Sequence, residues 1–165
     1  MRRLLFLVTL VVLAAAVATV TYLLMRNRET KIMLQSPLAF QRVTASHPGP
    51  CANGELVSSE GSECFTVGKG FSVDRLKALE AKPPSAQTGQ AGWSVELELF
   101  PEDAQTFRSL TAEASASPGR QIAMIFQGKI LSAPQVTEPI TAGEVSISGN
   151  FTPKYATELV KRIVG

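Results

Sequence analysis

An uninterrupted apolar segment near the N-terminus constrains this chain more than any other feature. Leu4 to Met25 contains no charged residue and has arginines on both sides. A helix rises about 1.5 Å per residue and the hydrocarbon core of a bilayer is about 30 Å thick, so about 20 residues are enough to span it. The segment therefore predicts a single transmembrane helix, and residues 1–28 form a predicted membrane anchor with its flanks.

A cleaved secretory signal is the alternative interpretation of the same segment. Ala16-Val17-Ala18 imitates the small-x-small pattern of a cleavage site. The apolar run continues past this point to Met25, however, and is longer than the ~7–15 residues of a usual signal core. The anchor is the preferred interpretation. The very short N-terminal tail favours a cytoplasmic N-terminus and an extracytoplasmic C-terminal domain in a single-pass cell-membrane protein.

Cys51 and Cys64 are the only cysteines of the chain and flank a twelve-residue polar segment. No second cysteine pair and no accompanying histidine is recognisable in the sequence to complete a zinc site. The pair therefore predicts a disulfide bond, which would stabilise the fold by ~3 kcal/mol in chain-entropy terms. Such a bond persists outside the reducing cytosol, in agreement with the predicted topology. Two unpaired thiols are the alternative.

Residues 29–91 are predicted to form an extracytoplasmic region rich in strands and loops. Residues 30–44 indicate a strand interrupted at Pro37, and the turn-rich residues that follow lead to a short strand around Phe65 to Val67. A short helix is predicted next, because three apolar residues fit one helical face: Val73, Leu76 and Leu79. Residues 83–92 are typical of a polar surface connection.

Residues 92–165 show clearer periodicity. The segment "WSVELELF" alternates apolar and polar residues and predicts a half-buried strand. Pro101 then begins a helix, and two strands follow around the Gln127-Gly128 turn. "EVSISGNF" supplies another strand, and Thr152-Pro153 begins a last helix. The order is β-α-β-β-β-α, so the predicted fold class is α+β behind a single transmembrane helix.

The same residues carry a resemblance to a known family. "GKILSAPQVTEPITAGEVSISGNFT" lies between "WSVELELFPEDAQTFRSL" and "YATELVKRIVG". In order and content, these segments resemble the head subdomain of the first large extracytoplasmic domain of SecD, a membrane component of the bacterial protein-export machinery. The resemblance implies a head-like α+β domain over residues 92–165 and contact with unfolded client protein.

The residues that could carry chemistry have simpler structural interpretations. His47 is the only histidine and has no nucleophile motif around it, while Glu96 and Glu98 are interpreted as solvated carboxylates. Asn150 begins an N-glycosylation pattern that is also a strand end leading into a helix cap. No catalytic, metal or cofactor site is therefore predicted. The net charge of +2, without a basic run beyond the N-terminal flanks, indicates no nucleic-acid partner.

The predicted function is that of a non-enzymatic, membrane-anchored module that binds polypeptide. The partner would be an exported client or another envelope protein, and components of the export machinery are among the candidates. Loops on a rigid scaffold commonly carry such contacts, and the candidate loop comprises Glu138, Pro139, Ile140, Thr141 and Gly143. The alternatives are a structural envelope protein with the same fold and no export role, and an unrecognised enzyme.

The anchor can be tested on the mature protein. Because the apolar run continues beyond Ala18, we expect the N-terminal residues to be retained and the protein to resist extraction by alkaline carbonate. N-terminal sequencing by mass spectrometry of the membrane fraction checks both points. A mature N-terminus at Thr19 would replace the anchor with a secretory signal.

Overall fold

Two antiparallel β-sheets and two helices make up the part of the chain that the computed structural model describes, residues 31–86 and 91–165. The predicted anchor lies outside these residues, as do residues 87–90 of the predicted polar connection. Neither helix of the described part is long and apolar enough to cross a membrane.

The larger sheet has five strands in the order β2-β3-β1-β6-β7. Its strands are β1 (Ile32–Pro48), β2 (Leu56–Val57), β3 (Glu63–Leu76), β6 (Ile122–Phe126) and β7 (Lys129–Ser132). The long strand β1 is central and pairs with β3 on one side and β6 on the other. The two edges of this sheet also meet, because Ser58 forms a parallel bridge with Ile130 and the Ser59 N–H donates to the Ile130 carbonyl at 2.8 Å.

The smaller sheet has three strands in the order β4-β5-β8. These strands are β4 (Ala78–Lys82), β5 (Trp93–Glu98) and β8 (Glu144–Phe151), and both pairings are antiparallel. Helix α1 (Pro101–Ser115) follows β5, and helix α2 (Pro153–Val164) follows β8. The predicted order β-α-β-β-β-α is thus confirmed for β5, α1, β6, β7, β8 and α2.

The main core lies where both sheets and both helices contribute buried apolar side chains. The alternation of β5 buries Val95 and Leu97, and the helical spacing of α1 buries Phe107 and Leu110. Phe40 of β1 contacts Phe107 edge to face, with 5.1 Å between ring centroids. A second, smaller core consists of buried side chains that all come from strands of the five-stranded sheet: Val43, Phe65, Ala123, Ile125 and Ile130.

Both helices begin where the sequence predicts. Pro101 occupies the first turn of α1, and Glu102 and Asp103 lie at the positive end of its dipole. At α2, the Thr152 hydroxyl accepts from the Tyr155 N–H at 3.2 Å and so caps the helix. Thr152 is the third residue of the glycosylation pattern that begins at Asn150. Its helix-capping role agrees with the simpler interpretation of that pattern.

The predicted helix at Val73, Leu76 and Leu79 is wrong, because these residues lie on strands. Val73 and Leu76 belong to β3 and pair with β1, while Leu79 belongs to β4 and pairs with Leu97. The register shift between β1 and β3 and the bend at Lys77 disturb the alternation of a strand. The resulting three-residue spacing imitates a helical face. Sequence spacing alone does not reveal such a break.

The first strands are also longer than predicted. β1 runs through Pro37 and ends at Pro48 rather than near residue 44, and β3 extends well beyond the predicted Phe65 to Val67. Pro37 lies within a register shift of the β1–β3 pairing, where a missing N–H is tolerated. The two regions that differ in sequence texture, 29–91 and 92–165, contribute strands to both sheets, and residues 31–165 form one unit.

Replacement of Phe107 by alanine tests the main core. Because the Phe107 side chain is buried and contacts Phe40, we expect Phe107→Ala to lower the free energy of unfolding by ~3–5 kcal/mol. Urea unfolding followed by the fluorescence of Trp93, the single tryptophan, measures the change. The matched control is Gln105→Ala on the exposed face of the same helix. Equal stability of the two variants would contradict the proposed core.

Candidate functional site

A disulfide bond between Cys51 and Cys64 closes the loop that connects β1 with β3. The predicted pairing is thereby confirmed. Cys64 lies on β3 and is fully buried, whereas Cys51 lies in the loop and is exposed. The bond therefore fixes a surface loop to the edge region of the five-stranded sheet.

His47 and Glu55 lie directly beside this disulfide. The two carboxylate oxygens of Glu55 are 3.0 and 3.1 Å from His47 Nε2. Cross-strand register explains the proximity, because His47 of β1 is opposite Cys64 of β3, and Val57 of β2 pairs with Cys64 from the other side. Glu55 thus lies two residues before Val57, which is the strand partner of Cys64.

Backbone groups hold both side chains in place. His47 Nδ1 faces the Pro48 carbonyl oxygen at 3.2 Å, and Glu55 Oε2 accepts the Ala52 N–H at 2.7 Å. The Thr66 hydroxyl contacts the other oxygen of Glu55 at 3.4 Å. The arrangement therefore joins β1, β3 and the disulfide loop through one carboxylate and one imidazole.

These contacts shift the proton affinity of both groups. The Pro48 carbonyl, followed by the Glu55 carboxylate, raises the pKa of His47 above its ordinary value of 6.5. The Ala52 N–H, followed by His47, lowers the pKa of Glu55 below its ordinary value of 4.5. An ion pair consequently forms in mildly acidic solution, where the imidazole is protonated and the carboxylate is ionised.

Sequence reasoning missed this cluster. His47 was interpreted as an unaccompanied surface histidine, and no histidine was expected beside the cysteines, but the imidazole, the Glu55 carboxylate and the Cys64 sulfur lie within 4.8 Å of one another. Only the register of β1 against β3 reveals this, and a register cannot be read from residue spacing. The Thr66 hydroxyl contacts the carboxylate rather than the imidazole, unlike the nucleophile of a hydrolytic triad.

The candidate loop Glu138–Gly143 leads from β7 into β8 and is anchored on α1. The Ile140 N–H donates to the buried Thr111 hydroxyl at 3.0 Å, and that hydroxyl also contacts the Phe107 carbonyl at 3.0 Å. Glu138, Pro139 and Thr141 remain exposed. Ala142 is exposed as well, so the loop is held against α1 while most of its side chains stay accessible.

Gly143 ends this loop in a conformation that favours glycine. Its φ is +73°, and an added Cβ would come within 2.8 Å of the Ala104 side chain. Its carbonyl accepts the Leu99 N–H at 2.9 Å, which starts the β5–β8 ladder. The loop and the first residues of β8 are therefore one continuous surface.

The three-stranded sheet carries an acidic outer face. Glu80 is opposite Glu96, and Glu98 is opposite Glu144, so four carboxylates follow the three strands. They line a shallow depression of about 540 Å³ together with Ala78, Lys82, Leu97, Val145 and Ser146. Lys77 Nζ donates to the Glu98 carboxylate at 2.7 Å. Glu96 and Glu98 are half-buried, as expected for a face that solvent reaches.

Both outer strands of this sheet have one edge without a strand partner in the described part of the chain. Because the Leu99 N–H bonds to the Gly143 carbonyl, alternation of the ladder directs the backbone groups of Glu144 and Ser146 away from β5. The same alternation directs those of Leu79 and Ala81 outward on β4. Large apolar side chains, in contrast to these backbone groups, offer little exposed surface. Among the described residues, the exposed ones are Met33 and Val164.

Comparisons with known proteins agree on one family. The family profile described as "SecDF, P1 head subdomain" matches residues 63–163, more than half of the chain. The protein translocase subunit SecD of Acidaminococcus fermentans is 41% identical over 85 residues, which are 51% of this chain and 20% of that protein. SecD of Treponema pallidum is 40% identical over 88 residues, or 53% of this chain and 15% of that protein. The aligned part of this chain thus spans at most a fifth of these relatives.

Solved structures show the same fold. A crystal structure of SecDF in its super-membrane-facing form has a TM-score of 0.54 at 21% identity, and covers 78% of this chain and 19% of that one. A second structure, of SecDF described as a membrane component that enhances protein export, has a TM-score of 0.51 at 18% identity. It covers 78% of this chain and 63% of that one.

The His47–Glu55 pair predicts a pH window of stability. Since the pKa of His47 is raised, its contribution is full below pH 6.5 and is lost as pH rises through the folded-state value. Since the pKa of Glu55 is lowered, its contribution is present above pH 4.5 and is lost as pH falls through its folded-state value. The difference in the free energy of unfolding between wild type and His47→Gln should therefore be largest between pH 4.5 and pH 6.5.

Urea unfolding of both proteins at a series of pH values measures this difference. The Glu55→Gln variant and the double variant complete a cycle that isolates the pair from other titrating groups. A difference that stays flat from pH 4 to pH 9 would contradict the assignment.

Proposed function

The chain belongs to the SecDF P1 head-subdomain family, and on this basis we propose that it is a membrane-anchored, extracytoplasmic module that binds polypeptide in or near protein export. The relatives are named as protein translocase subunits, and one solved SecDF is described as enhancing protein export. The family profile covers the head, so the proposal concerns what a head can contact. The partner is an extended exported client.

The free edges of the three-stranded sheet are the observation that carries this proposal. An extended chain can add a strand to an open edge, and backbone hydrogen bonds then give affinity with little dependence on sequence. Such binding suits a module that meets many different clients. The scarcity of large exposed apolar side chains in the described part favours edge pairing over capture by an apolar groove.

Of the two edges, that of β8 adjoins the candidate loop. Glu138 to Gly143 leads directly into β8, and its exposed residues lie at the end of the edge where an added strand would begin or end. A strand paired to β8 would place alternate side chains beside Glu144 and Ser146 on the acidic face. Opposite charges across strands contribute roughly 0.2–1 kcal/mol, so lysine or arginine is favoured at the client position beside Glu144.

A binding role also agrees with the chemistry of the His47 cluster. The imidazole and the Glu55 carboxylate contact each other and the backbone, and the adjacent sulfur is held in a disulfide. With the disulfide formed, the cluster holds the loop in place and presents no nucleophile. We therefore propose a non-enzymatic module.

Binding can be tested with one secretory protein in two states. The full chain in nanodiscs is titrated with the reduced, unfolded protein and with its native form, and empty nanodiscs serve as the blank. We expect modest affinity for the unfolded form and much weaker binding of the native form, because only an extended chain offers free backbone groups. Equal or absent binding of both forms would leave a shared fold and remove the export proposal.

Proline substitutions identify the edge. Ser146→Pro removes an outward N–H from β8, and Ala81→Pro does the same on β4, while each keeps the ladder to β5. One lost backbone hydrogen bond is worth ~0.5–1.5 kcal/mol, so Ser146→Pro should weaken binding by ~2–10-fold. Ser146→Ala is the matched control because it keeps the N–H. If Ser146→Pro, with an unchanged unfolding midpoint, binds like wild type, the β8 edge is not the site.

A further inference from the structure

The cluster around the disulfide contains four side chains of the types that bind zinc. Cys51 and Cys64 supply two sulfurs, His47 supplies Nε2, and Glu55 supplies a carboxylate oxygen. The imidazole, the carboxylate and the Cys64 sulfur lie within 4.8 Å of one another, and Cys51 is covalently attached to that sulfur. We propose that, when the disulfide is reduced, these four side chains bind a single Zn²⁺ that closes the same loop.

The donor set fits the preferences of this ion. Zn²⁺ takes four ligands in a tetrahedron from cysteine sulfur, histidine nitrogen and carboxylate oxygen. With Zn–N and Zn–O distances near 2.1 Å, a tetrahedral site needs about 3.4 Å between the nitrogen and the oxygen. His47 Nε2 is already 3.0 and 3.1 Å from the Glu55 oxygens. An increase of a few tenths of an ångström in the distance between His47 Nε2 and a Glu55 oxygen therefore suffices.

The surroundings of the ligands are those of a metal site. A metal-binding histidine usually donates its other ring N–H to a carbonyl or a carboxylate, which fixes the tautomer. His47 Nδ1 faces the Pro48 carbonyl in this manner and leaves Nε2 for the ion. The Ala52 N–H and the Thr66 hydroxyl orient the Glu55 carboxylate in the same way. These supporting contacts are present before any ion binds.

One sulfur lies in the sheet and the other lies in an exposed loop. Cys64 is part of the β1–β3 ladder and is buried, whereas Cys51 belongs to the exposed loop. Zn–S bonds of ~2.3 Å in a tetrahedron separate the two sulfurs by about 3.8 Å. Once the bond between the sulfurs is broken, the exposed Cys51 can take up this separation while Cys64 stays in the sheet.

Reduction has a balanced route through the exposed sulfur. One thiolate of a dithiol reductant attacks Cys51 Sγ, the bond between the two protein sulfurs breaks, and its electron pair leaves with Cys64 Sγ. The second thiol of the reductant then releases Cys51, so that the reductant is oxidised to a disulfide and the protein gains two thiols. Zn²⁺ displaces the protons of both thiols and any proton on His47 Nε2 into solvent.

The loop thus has two alternative crosslinks, a disulfide when oxidised and a zinc ion when reduced. Either one holds residues 51 and 64 together, so the attachment of the loop to the sheet survives a change of redox conditions. This inference is independent of polypeptide binding, because neither free edge of the three-stranded sheet contributes a ligand.

Zn²⁺ binding to the full chain, oxidised or reduced without chelating thiols, tests the proposal. The chain competes with a chromophoric chelator for Zn²⁺ under anaerobic conditions, and Co²⁺ serves as a spectroscopic substitute. We expect the reduced chain to bind a single Zn²⁺, to give the thiolate-to-cobalt charge-transfer band, and to unfold at a higher temperature with Zn²⁺ present. The oxidised chain should show none of these effects.

Variants assign the non-sulfur ligands. His47→Gln and Glu55→Gln each remove one ligand and leave the disulfide intact, so their folding is verified in the oxidised state by Trp93 fluorescence. Each should weaken Zn²⁺ binding by at least ~10-fold. Glu63→Gln is the matched control, because Glu63 precedes Cys64 on β3 and alternation directs its side chain to the other face. Wild-type affinity in His47→Gln and Glu55→Gln, equal binding by the oxidised chain, or no binding by the reduced chain would overturn the proposal.

Discussion

The pairing of β1 with its two neighbours is the constraint on which the described structure depends. β1 forms ladders with β3 and β6, and its buried Leu38 and Phe40 reach the main core. The same strand contributes Val43 to the smaller core of the five-stranded sheet. Loss of this strand would remove the central strand of the five-stranded sheet and buried side chains from both cores. Its register also decides which polar side chains meet at its far end, where His47 lies opposite Cys64.

Elements with regular local periodicity could be predicted from the sequence. β5 alternates strictly, α1 starts with a proline and two acidic residues, and α2 starts with a threonine cap and a proline. Type and position are therefore both recovered. The disulfide was predictable because the chain has two cysteines and no others. These signals act over a few residues or by elimination. They require no knowledge of which strand is adjacent to which.

Features that depend on long-range register could not be predicted. The bend at Lys77 and the shifted β1–β3 ladder convert a strand pattern into an apparent helical spacing, which produced the wrong helix at Val73 to Leu79. Glu55 likewise joins His47 only because β2 and β1 pair with opposite edges of β3. The candidate loop is intermediate in this respect. Its position between strands follows from sequence, but its anchoring on the Thr111 hydroxyl depends on how α1 packs.

The ladder between β1 and β6 has a consequence for how the chain acquires its structure. Leu38 pairs with Phe126, so the central strand finds its second neighbour only after nearly ninety residues more have been made. Closing so large a loop before its contacts form is entropically unfavourable and slows folding. Until β6 has been made, residues 32–82 therefore lack part of the sheet to which they belong. During that interval, the growing chain itself resembles an extended, strand-forming polypeptide and is exposed to other chains in the same state.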